Sequence, residues 1–181
     1  MVDAQTIGVL VTAASVTVAA VYYVLTLRTN QRNIKTTLET RQAQLFMNIY
    51  NTTYSKDWAN VTDVIFTINM KNYQDWANLR KDKEKWLAMS MVGQWLEGIG
   101  VLVREGLVNV RMVSELNSGL IKWYWEAFGD GFIDVREKTS FPRFMIETQY
   151  LYDRVMDYAV AHPELKIETP RGWEVGFSKS K

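Results

Sequence analysis

The 181-residue chain contains no cysteine. That excludes a disulfide framework, thiolate metal sites and thiol redox chemistry. It contains one histidine, His162, which stands directly before Pro163. Metal centres and proton shuttles usually recruit several histidines, or histidine with carboxylates. A di-iron site on a helical bundle needs Glu-x-x-His pairs on facing helices. Here Tyr158-Ala159-Val160-Ala161 precede the histidine, so that site fails. His162 reads instead as a residue at a helix C-terminus, where a cation is favoured by the helix dipole. Charge of one sign is also lacking: the formal net charge is +1, which argues against a nucleic-acid footprint. Phosphate-cradling loops are absent, because Gly98-Ile99-Gly100 sits inside an apolar helical pattern with no following Gly or Lys at the required spacing. Gly129-Asp130-Gly131 resembles a fragment of a calcium loop, but the other acidic positions and the terminal Glu are missing. No metal, no cofactor and no nucleic acid are expected, and nothing in the residues points to catalysis.

Proline is scarce too. No Pro or Gly interrupts residues 9 to 92, so nothing local breaks a long helix there. From Ala4 to Leu27 there are 24 residues without a charge. At about 1.5 Å per residue they make roughly 36 Å of helix, enough to cross a hydrocarbon core of about 30 Å. Thr6, Thr12, Ser15, Thr17 and Thr26 dilute the segment, but Ser and Thr can bond to their own helix backbone and are tolerated in lipid. A signal peptide would need a basic flank and a shorter apolar core; the flank here carries Asp3 and no Lys or Arg. Arg28, Arg32, Lys35 and Arg41 follow the segment and no basic residue precedes it. The positive-inside rule then puts the N-terminus outside and the rest in the cytoplasm.

The expected architecture is all-α. A single transmembrane helix (4–27) continues into a small cytoplasmic helical bundle (28–163), followed by an irregular tail (164–181). Leu27, Ile34, Leu38, Leu45 and Ile49 step by 7, 4, 7 and 4, an a/d-type stripe interrupted by Gln31 and Arg41. A helix is expected over Ser55 to Met70 from Trp58, Val61, Ile65 and Ile68, although Val64-Ile65-Phe66-Thr67-Ile68 would also suit a strand. Residues 71–83 read as a polar connection. Another helix runs from Lys83 to Glu105, on the stripe Trp86, Met89, Val92, Leu96, Ile99 and Val103, with Gly106 as its stop. Glycines 93, 98 and 100 within it suggest close packing. Asn109 caps the next helix, which Gly129-Asp130-Gly131 should kink or break. Ser140 is expected to cap the last helix, with Pro142 in its first turn and Pro163 at its end.

Three groups of residues are candidates for function. Gly8, Thr12, Ser15 and Ala19 step by 4, 3 and 4. They make a small-residue face through which the anchor helix can contact another helix in lipid; the stripe at Ile34, Leu38 and Leu45 is expected to carry the same contact into the cytoplasm. Glu97 and Glu126 lie among strongly apolar neighbours and need partners if buried; Arg104 and Arg136 are the candidates. Seven tryptophans, including Trp95, Trp123 and Trp125, suit a small core that uses large side chains to bury area. Solvent-facing ones would mark a partner surface.

The stretches Trp95-Leu96-Glu97-Gly98-Ile99-Gly100, Arg104-Glu105-Gly106-Leu107-Val108 and Leu120-Ile121-Lys122-Trp123-Tyr124-Trp125-Glu126 resemble the centre of an uncharacterised family of bacteria and archaea. Its members pair one N-terminal transmembrane helix with a helical cytoplasmic domain. The resemblance covers residues 10 to 160 and departs at Gly129-Asp130-Gly131, where the family pattern implies a continuing helix. It implies an architecture and no reaction. The expected function is that of a membrane-anchored helical interaction module, or an accessory subunit of a membrane protein complex, without catalysis. Two alternatives stand beside it. One is an enzyme or small-molecule sensor with an inter-helical pocket near Trp95, Glu97 and Trp123. The other is a self-associating membrane scaffold. The expected partners are the lipid bilayer and either a membrane protein or a second copy.

Overall fold

A computed structural model describes residues 3–53 and 55–165. The described residues are mostly helical, with no strand among them. In chain order the helices are α1 (Ala4–Thr53), α2 (Lys56–Ile65), α3 (Tyr73–Leu79), α4 (Lys83–Arg104), α5 (Val110–Lys138) and α6 (Ile146–Ala161); a 3-10 turn follows at Pro163–Leu165. The chain divides into two compact units, one through Gln44 and one from Leu45. The first unit is the greater part of α1, and the last turns of α1 belong to the second.

In the first unit the apolar side chains of α1 stand in the open. Ile7, Leu10, Val16, Val21, Tyr22 and Leu25 are each more than half exposed. The hydroxyls of Thr12, Ser15 and Thr17 turn back onto the carbonyls of Gly8, Val11 and Ala13 at 2.9, 2.8 and 2.9 Å. Those polar groups are thereby satisfied without water. Two helices, α1 and α4, are long and apolar enough to cross a membrane. They differ in surroundings, because α4 is the spine of a core and the apolar segment of α1 is bare.

In the second unit α4 and α5 both pack on α6, while α2 lies against α4 and α3 against α5. The core is built from Met89, Val92, Leu96 and Ile99 of α4, Ile121, Tyr124, Phe128 and Phe132 of α5, and Leu151 and Val155 of α6. Each such large apolar side chain contributes about 1.5–3 kcal/mol on burial. Phe46 and Ile49, from the end of α1, join the same core.

Four local expectations are corrected. Helix α2 ends at Ile65 rather than Met70; Ile68 and Met70 are both buried, with the period of two that belongs to extended chain. Residues 71–83 contain α3, capped by Asn72, whose side chain accepts from Asp75 N. Gly129-Asp130-Gly131 does not break α5. A side chain at Gly129 would meet the Trp125 ring at 2.8 Å, and one at Gly131 would meet Met70 Cε at 2.8 Å. These glycines make room for large neighbours, and that packing outweighs a propensity cost of about 1 kcal/mol each. Helix α6 begins at Ile146 rather than in the turn after Ser140, because Arg136 holds the carbonyls of Phe144 and Met145. Met145 turns left-handed at φ 53. The expected tail falls outside the described residues from residue 166 onward, and Trp173 with it.

Candidate functional site

Gly93, Glu97 and Gly100 step by 4 and 3 along α4 and share one face. That face meets the start of α6. A side chain at Gly93 would run into Met145 Cε at 2.5 Å and the Tyr124 hydroxyl at 2.6 Å, and one at Gly100 would run into the backbone of Glu147. Between them the Glu97 carboxylate accepts from Thr148 N at 2.6 Å. Helix α6 has no side-chain cap of its own at Met145. Its free N–H groups need an acceptor, and α4 supplies it in Glu97. The negative charge is also favoured at a helix N-terminus.

Three arginines fasten the same joint. Arg104 Nη1 donates to Glu147 Oε1 at 2.5 Å, and Arg143 lies 3.8 Å from that oxygen. Glu147 is 4% exposed, so its charge requires such partners. Arg136 donates to Phe144 O at 2.6 Å, to Met145 O at 2.8 Å and to Gln149 Oε1 at 2.6 Å. Burial lowers the pKa of its guanidinium, and the charge of Glu97 opposes that shift. Arg104 therefore pairs with Glu147 and not with Glu97, and Arg136 holds carbonyls directly. Neither Glu147 nor Arg143 was singled out from sequence. Burial, followed by the Glu97 charge, raises the pKa of the enclosed Tyr124 hydroxyl. That hydroxyl donates to Met89 O at 3.1 Å.

The five residues expected to mark a pocket or partner surface are dispersed. Trp95 packs at a tilt against Trp58 of α2, centroids 4.7 Å apart, while Glu97 faces α6. Two residues along a helix are about 200° apart, so the two side chains leave α4 on opposite sides. Trp123 packs on Phe66 at 4.4 Å and Phe128 at 5.7 Å. Trp125 turns the other way, to Tyr152 at 5.9 Å, under the Arg136 guanidinium at 5.9 Å. Glu126 is exposed and pairs with Lys122 at 3.4 Å. No tryptophan among the described residues is fully exposed: Trp58 and Trp123 are buried, and Trp76, Trp86, Trp95 and Trp125 pack against the core. Among the described residues no group of three or more His, Asp or Glu could hold a metal ion. A groove of about 270 Å³ lies beside the connection between α2 and α3, lined in part by Asn69, Asp75, Asn78 and Asp82.

On α1, Gly8, Thr12, Ser15 and Ala19 do lie along one side of an exposed helix. Because the hydroxyls of Thr12 and Ser15 bond inward, that side presents a small, largely apolar surface. At about 100° per residue it lies roughly a quarter turn from Leu27, Ile34 and Leu38. The stripe in the lower part of α1 therefore does not continue the small-residue face, contrary to expectation.

A family model described as a domain of unknown function, DUF4760, matches residues 9–155. The chain belongs to the DUF4760 family. No curated protein and no solved structure matches it. The DUF4760 match includes most of the apolar segment of α1, all of α2 to α5, and α6 as far as Val155. The joint between Gly93 and Thr148 thus lies wholly within the DUF4760 domain.

Proposed function

We propose that this protein is a membrane-anchored helical interaction module, or an accessory subunit of a membrane protein complex, that performs no catalysis. The carrying observation is the bare apolar surface of α1. Val9, Leu10, Val11, Val16, Val18, Tyr22 and Leu25 are between 56% and 72% exposed. Leaving such side chains in water forgoes about 1.5–3 kcal/mol each, and a bilayer removes that cost. Residues Ala4 to Leu27 have the length that a hydrocarbon core requires. The family match begins at residue 9, inside this segment, which supports a helix retained as part of the domain over a cleaved leader. Arg28, Arg32, Lys35 and Arg41 favour a cytoplasmic domain and an external N-terminus.

The absence of catalysis rests on where the ionisable groups are engaged. Glu97, the acidic residue that a pocket would require, is committed to the start of α6. A helical domain held at the membrane surface, with Glu97 and Glu147 engaged in an internal joint, serves best as a surface for another protein. The test is fractionation of native membranes. The chain should stay with the bilayer through an alkaline wash, and protease added to intact cells should spare residues 28–181. Gentle detergent extraction should then release it in a particle larger than one copy. Loss of the chain to the wash, or external digestion of the domain, would overturn the anchor or its orientation.

A further inference from the structure

Every residue from Leu27 to Arg41 is exposed, yet the segment is helical throughout. Its composition does not favour that state, since Thr29, Asn30, Asn33, Thr36, Thr37 and Thr40 are all weak helix formers. The internal support includes a Lys35–Glu39 ion pair at 3.9 Å and the Thr40 hydroxyl bonded to Thr36 O at 2.9 Å. Helices of this length draw most of their stability from packing an apolar face. The apolar face is there: Leu27, Ile34 and Leu38, with Gln31 between, step by 4, 3 and 4, and Ile34 and Leu38 are 61% and 54% exposed.

We infer that residues 27–41 pair in parallel with the same residues of a second copy of this chain, as a short left-handed coiled coil. The inference rests on the membrane reading above, because a shared anchor holds two copies parallel, in register and at high local concentration. The charge pattern fits self-pairing. With Leu27, Gln31, Ile34 and Leu38 as the seam, Arg28 and Lys35 flank it on one side. In a parallel pair they face Tyr23 and Asn30 of the other copy, which are neutral, so no like charges meet along the flanks. Gln31 would meet its own copy amide to amide, and a polar seam residue of that kind sets register. Arg41 is the next seam position, where two guanidiniums would repel, and it ends the pair. The following position, Leu45, already packs against the domain core. The seam is a different face from Gly8, Thr12, Ser15 and Ala19, which leaves that face to another contact.

The natural absence of cysteine gives a direct test in the full-length chain. Single substitutions Ile34→Cys, Leu38→Cys, Asn33→Cys and Thr36→Cys are made separately, and membranes are mildly oxidised. Ile34→Cys and Leu38→Cys should yield disulfide-linked dimers several-fold more than Asn33→Cys and Thr36→Cys, which lie on the outer side. Adding Leu38→Glu to Ile34→Cys should abolish the dimer, and adding Thr36→Glu should not. Equal linkage at all four positions, strongest linkage at Thr36, or none at any would overturn the pairing. An alkaline wash of the same membranes reads the anchor separately, so a chain that stays in the bilayer without seam linkage refutes the pairing alone. A chain that washes off refutes the anchor.

Discussion

Replacing Gly100 with alanine adds one methyl group at the point where α4 meets the start of α6. That methyl would sit 2.8 Å from the carbonyl carbon of Glu147 and closer still to its oxygen. The nearest atoms it meets are backbone, so no flexible side-chain end can swing away and the helices must separate. Overpacking of this kind costs about 1–3 kcal/mol. Separation also loosens the Glu97–Thr148 and Arg104–Glu147 hydrogen bonds, at about 1 kcal/mol more. Alanine returns at most about 1 kcal/mol of helix propensity. The net expectation is a loss of roughly 2 kcal/mol. Two residues earlier, a methyl at Gly98 would meet nothing within 4 Å, and Gly98→Ala should stabilise by about 0.5–1 kcal/mol. All seven tryptophans lie at residue 58 or later, so their fluorescence during urea unfolding of the full chain in mild detergent reports on the second unit. The two substitutions should move the midpoint in opposite directions with little change in slope. If Gly100→Ala is as stable as Gly98→Ala, the close approach of α4 and α6 is wrong.

Glu97→Ala should lower stability by about 1–2 kcal/mol, since it leaves Thr148 N without its acceptor. Glu97→Gln keeps an acceptor oxygen and should recover at least half of that in the same unfolding assay. The Tyr124 hydroxyl titrates higher in the fold than its ordinary 10.0, through burial and then the Glu97 charge. A raised pKa means its contribution is complete below about pH 10 and is lost as pH rises beyond that, by up to about 1.4 kcal/mol per pH unit. The urea midpoint should therefore fall above about pH 10, and less steeply in Tyr124→Phe. Replacing Ser15 and Ala19 together with Leu should weaken co-purification with a membrane partner while leaving insertion intact; unchanged co-purification would remove that face from consideration. Protein freed of tags and chelators should carry no stoichiometric zinc, iron or copper, as elemental analysis can check.

The parts legible in the sequence were those set by neighbours a few residues away. Asn109 caps α5 through its own side chain, which accepts from the N–H of Arg111 two residues on. Gly106 ends the α4 region at φ 68, a backbone state that suits glycine. The uncharged run after Ala4 has the length of a membrane-crossing helix whatever surrounds it. Tertiary structure decided the rest. Gly129 and Gly131 read locally as a break, and only Trp125 and Met70, packed into the space they leave, keep α5 whole. The start of α6 has no local cap; its acceptor, Glu97, lies 51 residues away in sequence. Glu97 was visible as a carboxylate among apolar residues, but its partner is a backbone N–H, which every residue except proline carries and which composition therefore cannot mark. Local rules act through bonds that the chain cannot avoid making with itself. Glycine packing and inter-helix capping depend on which helices meet, and that is set by the burial of the whole core.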